Sequence, residues 1–235
     1  MDQVKIGMDE PQEDEYAIYR ITNYSPLENL VFPKSQAFFL NQSTQFLPDD
    51  ENELDRWKKE IQGFYKKIFF RHGKRIVSKN PFNSFRTSIL YDMFPGARFI
   101  HIVRNPFDVV PSTIHMWTIL GEQNSLNTHW TRPGFSEVVD FLKKLAETVE
   151  TDQKKLPAGK LVEIRFEDLE KSPVDVLKKV YAKLELPFTS DFEDNINKFL
   201  HQNASFKKNT FTLTAEEKSV ISQQLENQLK KFNYQ

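Results

Sequence analysis

At 235 residues, 39% of them apolar, the chain is long enough to enclose a core as one domain spanning 1–235, and 32 Lys and Arg against 33 Asp and Glu leave a net charge of −1. That balance provides no global field toward nucleic acid or an anionic surface, so any polyanion must be held by a local patch. The absence of cysteine excludes a disulfide framework, a thiolate metal site and a cysteine nucleophile, and the lack of an apolar run of about 18 residues, with an acidic start (MDQVKIGMDEPQEDEY), points to a cytoplasmic protein with no transmembrane segment.

Residues 1 to 48 read as irregular, with an acidic run over 9–15 followed by Pro26, Pro33 and Pro48. From Asp49, an acidic first turn and Leu54, Trp57, Ile61, Phe64 and Tyr65 at helical spacing predict a helix ending near Gly73. RIVSKNP reads as a short buried strand closed by a turn at Asn80-Pro81, and residues 84–94 as a helix. RFIHIV is a second strand, and Asn105-Pro106 opens a helix that Pro111 should kink. After Pro133 comes a helix with Val138, Val139, Phe141, Leu142 and Leu145 on one face, then LVEIRF as a third strand, a helix before Pro187, and a final helix over 215–231. Helices alternating with short apolar strands predict an α/β fold with a parallel sheet covered on both faces.

Ligands of such sheets bind beyond the carboxyl ends of the strands, where this sequence carries Lys79, Arg104 and Arg165. Arg104 can grip a phosphate through its planar fork, and Ser112, eight residues on and two turns into the helix, can reach back to an anion shared with the helix N-terminus. The competing reading pairs Arg104 with Asp108 and turns the Ser112 hydroxyl onto the carbonyl one turn earlier.

FPGARFIHIVRNPFDVVPST resembles the 3′-phosphate-binding segment of sulfotransferases that use 3′-phosphoadenosine 5′-phosphosulfate (PAPS). PQEDEYAI, SKNPFNSFRTSIL, EIRFEDLEKSP and FKKNTF are similar, in the same order, to a bacterial branch of that family, so the resemblance covers nearly the whole chain. It implies a P-loop-NTPase-like parallel sheet flanked by helices. It also implies transfer of a sulfuryl group from PAPS to a hydroxyl or amine of a small molecule, lipid or carbohydrate, without metal, leaving adenosine 3′,5′-bisphosphate. By the same resemblance Arg104 and Ser112 hold the 3′-phosphate, Phe166 stacks near the adenine, and Lys207 and Lys208 close over the phosphate. Lys79 would stabilise the leaving oxygen. The base candidates are Glu13 and Glu15 of the PQEDE segment, with Asp14 between them and His101, His115 and His129 as alternatives. Carboxylates two apart in an extended segment point the same way, so both glutamates could face the acceptor. His101, inside an apolar strand, also reads as a satisfied core histidine.

The family opens with a strand, a loop of the R-S-G-T-T kind whose amides cradle the 5′-phosphosulfate, and a helix. This sequence has seven glycines and no such loop, and its likeness to the family begins at PQEDE. The expectation is a chain lacking the first βα unit, with exposed strand edges and a complementary N-terminal fragment as a partner. The alternative function is a catalytically inactive fragment that binds nucleotide or a partner chain. A nucleotide kinase is disfavoured by the absence of a G-K-S/T segment.

Overall fold

The computed structural model describes residues 12–27, 47–126, 130–204 and 208–234. Helix α1 (Glu15–Thr22) lies in a region predicted to be irregular. An eight-residue helix is too short to be stable alone. It is held because Ile18 packs with Trp57 and Ile61 of α2 (Glu51–His72). α2 has the start and stop its sequence predicts. The Asp50 carboxylate accepts from the Asn52 and Glu53 amides, and Gly73, left-handed at φ 60°, returns its N–H to the Phe69 carbonyl. Asn80 then caps a 3-10 turn (Pro81–Phe85) that leads into α3 (Thr87–Met93), so the helix expected over 84–94 is broken at Arg86.

β1 (Phe99–Val103), α4 (Pro106–Asn124), α5 (Phe135–Lys155) and β2 (Leu161–Arg165) follow, then α6 (Phe166–Lys171), α7 (Pro173–Lys183), α8 (Ser190–Gln202), α9 (Ala215–Gln224) and α10 (Glu226–Lys231). α4 continues through Pro111, which only forgoes its bond to the Phe107 carbonyl. The single helix expected over 215–231 is two, divided at Leu225, whose buried side chain joins Val110, Val138, Val139 and Ile221 in a core cluster. A second cluster brings Leu27, Phe82, Phe85 and Trp117 together between the 3-10 turn, α4 and α5.

β1 and β2 pair in parallel, from Phe99 opposite Leu161 to Val103 opposite Arg165. The fold is therefore α/β, a parallel sheet flanked by helices. Val162 packs on Val180 of α7 and on Leu184, while the opposite face meets α10 and Tyr234 through the Lys231–Glu163 pair and the Tyr234 hydroxyl on the Val103 carbonyl.

One expectation is corrected here. RIVSK, predicted as a buried strand, has no regular structure and no partner strand among the described residues, and Val77 is 89% exposed. A strand persists only where neighbours take its amides and carbonyls, and β-rich composition cannot supply the neighbour. The cover on the Val162 face is partial, for Ile100 and Ile102 of β1, opposite Val162 and Ile164, remain 43% and 50% exposed.

At Gly121 of α4 an added Cβ would lie 2.0 Å from the Trp130 ring. Gly121→Ala is expected to cost about 1–3 kcal/mol by overpacking, read as a lower urea midpoint at unchanged slope. An unchanged midpoint would show that Trp130 is not held against this helix.

Candidate functional site

Because Val103 lies opposite Arg165, the residues that follow them, Arg104 and Phe166, leave the sheet side by side. The Arg104 guanidinium lies 5.0 Å from the Phe166 ring centroid and the Lys208 ammonium 5.6 Å from it. Three of the residues expected to bind nucleotide thus form one group, two cations against one aromatic ring. Lys208 also pairs with Glu170 at 2.6 Å, whereas Arg104 approaches Asp108 only to 3.8 Å. Ser112 has no hydrogen-bond partner among the described residues, while Thr118, Thr148 and Thr151 each bond the carbonyl one turn earlier. Lys207 lies outside the described residues.

The helix N-terminus, expected to share the anion, has no amide to offer. Pro106 lacks an N–H, and the Asn105 amide donates to Glu167 at 2.9 Å. The Phe107 amide donates to the Asn105 side chain, and those of Asp108 and Val109 to the Asn105 carbonyl. An anion here must be met by side chains. Glu167 also lies 2.8 Å from the Tyr234 hydroxyl. Burial works to raise the Glu167 carboxyl, but the Asn105 amide, its own amide and Tyr234 outweigh it and hold the group below the usual carboxylate range. Burial, and then Glu167, push the Tyr234 phenol up. Arg165, the third strand-end cation, is occupied by this network, 4.7 Å from the Tyr234 ring and 3.9 Å from Glu167.

A second group joins residues 13–15 to residues 78–80. Lys79 pairs with Glu13, Ser78 and Asn80 donate to Asp14, and Asn80 also donates to Glu15 at 2.7 Å. Tyr65 donates to Asp14 as well, and burial followed by that bond pushes its phenol up. The two glutamates expected to face the same way do not. Glu15, 1% exposed, takes Arg86 through both oxygens at 2.6 and 3.1 Å and accepts from Ser25, while Glu13 keeps a third of its side chain exposed. Glu15 opens α1, so the alternation of an extended segment does not apply to it. No hydrogen bond or ion pair among the described residues links Glu13 or Lys79 to the Arg104 group.

The sequence profile of the sulfotransferase family matches residues 17–190. The chain belongs to the sulfotransferase family. Two curated relatives, the omega-hydroxy-beta-dihydromenaquinone-9 sulfotransferases Stf3 of Mycobacterium bovis and Mycobacterium tuberculosis, are each 30% identical over all of this chain. The chain spans 60% of their length. Sulfotransferase STF9 from Mycobacterium avium has the same fold, with a TM-score of 0.74 at 14% identity over 99% of this chain and 60% of its own.

In this sulfotransferase-family chain the histidine alternatives divide. His101 faces Glu163 across the sheet at 3.1 Å, and Lys231 binds the same carboxylate. It is the partner of a carboxylate rather than an apolar-core histidine. Burial works to raise Glu163, but those two bonds keep it low. His115 is exposed beside Phe211, and His129 lies outside the described residues. Among the described residues no group of His, Asp and Glu could hold a metal, and no helix is long and apolar enough to cross a membrane. Sequence reasoning missed Arg86, Asn80, Glu167 and Tyr234. Asn80 had left a signal in the turn at Asn80-Pro81, and Arg86 only its place in SKNPFNSFRTSIL, one of the segments similar to the family.

Proposed function

We propose that this chain, as one sulfotransferase-like domain, transfers a sulfuryl group from PAPS to a hydroxyl acceptor in the cytoplasm. The observation that supports this most is the Arg104–Phe166–Lys208 group, with Ser112 two turns into the helix that follows Arg104. The cations and the hydroxyl suit a 3′-phosphate, and the ring suits an adenine. In transfer, the bond from sulfur to the bridging oxygen of the donor breaks as a bond from sulfur to the acceptor oxygen forms. The acceptor proton passes to Glu13, the carboxylate of the pair that keeps solvent access, and the Lys79 ammonium meets the charge left on the bridging oxygen. Glu15 serves as the buried anchor of this segment. Because the relatives are named for a hydroxylated menaquinone, a hydroxyl on a lipid is the acceptor class we favour.

Calorimetric titration with adenosine 3′,5′-bisphosphate tests the reading. Wild type should bind, and Arg104→Ala, losing two charge-assisted hydrogen bonds, should bind about 100-fold more weakly at unchanged stability. A folded wild type that binds no nucleotide would sink the proposal. Binding without transfer from PAPS to any hydroxyl lipid or small-molecule acceptor would favour the alternative, a non-catalytic nucleotide-binding fragment.

A further inference from the structure

Charge in this chain is unevenly placed. Residues 66–79 carry Lys66, Lys67, Arg71, Lys74, Arg75 and Lys79, and no Asp or Glu occurs between Glu60 and Asp92. Lys66, Lys67, Arg71, Lys74 and Arg75 are all exposed and make no ion pair among the described residues. Elsewhere cations commonly find partners, as Lys58, Lys154, Lys178 and Lys230 do. The same stretch exposes apolar side chains, Phe70 at 92%, Val77 at 89% and Phe69 at 57%. On α2 the helical repeat sets Phe70 opposite the buried Trp57 and Ile61, with Lys66 and Lys67 on either side of it.

We infer that the end of α2 and residues 73–78 form a docking surface for an anionic lipid bilayer. Phe69, Phe70 and Val77 would seat in the boundary between headgroups and acyl chains, and the five cations would reach lipid phosphates, their stems lying along the apolar side chains. A net charge of −1 means that attraction to such a surface must come from a local patch, which this one supplies. A bilayer fits better than single-stranded nucleic acid, because Val77 offers no ring for a base to stack on, whereas an acyl boundary accepts Phe and Val alike. Val77 stands two residues from Lys79, so a lipid-borne hydroxyl would arrive beside the residue assigned to the leaving oxygen. That consequence rests on the sulfuryl-transfer reading; the docking itself does not.

The test is sedimentation of the full chain with vesicles of phosphatidylcholine alone and of phosphatidylcholine with phosphatidylglycerol, without nucleotide. Binding is expected on the anionic vesicles and should fall with salt. The triple variant Lys66→Gln, Lys67→Gln, Arg71→Gln should bind roughly 100-fold more weakly. Phe70→Ser should weaken binding about tenfold, and both variants should keep the wild-type thermal midpoint. Absence of binding, equal binding to the neutral vesicles, or a triple variant that binds like wild type would overturn the inference. So would Phe70→Ser dispersing an oligomer while vesicles are ignored, or single-stranded RNA binding in their place. Adenosine 3′,5′-bisphosphate binding by a chain that ignores vesicles would overturn docking alone; vesicle binding by a chain that ignores the nucleotide would overturn the nucleotide site alone.

Discussion

Lys79→Ala is expected to lower the rate of sulfuryl transfer about 100- to 1000-fold while leaving the affinity for adenosine 3′,5′-bisphosphate within about twofold. Charge grows on the bridging oxygen only as the bond to sulfur breaks, so an ammonium aimed there acts on the transition state and little on the bound product. The Lys79 side chain is 80% exposed and, among the described residues, held only by Glu13. An exposed pair of this kind is worth about 0–1 kcal/mol, so a donor can separate it at small cost. Single-turnover transfer beside calorimetric titration separates the two quantities. Equal losses in rate and affinity would give Lys79 a binding role, and an unchanged rate would remove it from the mechanism.

Glu15→Ala is expected to destabilise the protein by about 3–5 kcal/mol, whereas Glu13→Ala, two residues away, should cost about 1 kcal/mol or less. Removing Glu15 takes the bidentate carboxylate from the Arg86 guanidinium, 0% exposed, and the acceptor from the Ser25 hydroxyl, while Asn80 keeps its bond to Asp14. The Trp57 ring, 5.3 Å from that guanidinium, cannot replace an anion. Urea unfolding of both variants measures the contrast. Glu15→Gln, which keeps an acceptor for Ser25, guards against a variant that fails to fold, and should fall between the two. Pairing Glu15→Ala with Arg86→Met should recover part of the loss, because a buried ion pair gains most of its apparent worth from the cost of breaking it one side at a time. Similar stability for Glu13→Ala and Glu15→Ala would contradict the buried placement of Glu15. Reduced transfer in Glu13→Ala at full stability would support its role as base.

Much of this was legible in the residues alone. The two strands β1 and β2, the helix opening at Asn105-Pro106 and the α2 boundaries follow from caps, prolines and periodicity, which are local properties of the chain, although β2 stops one residue short of the predicted LVEIRF. The strand-end position of Arg104 and the motif around it were equally local, and they pointed to the family. What the sequence could not reveal is which distant residues meet. That Arg104 and Phe166 share one group depends on the register between β1 and β2, and a slip of one residue would separate them. The separation of Glu13 from Glu15 depends on where α1 begins and on Arg86, 71 residues away from Glu15 in the chain. The loss of the predicted strand at RIVSK has the same origin. β-propensity is a local quantity, but a strand exists only through a neighbour's hydrogen bonds, and tertiary structure alone decides whether that neighbour is there.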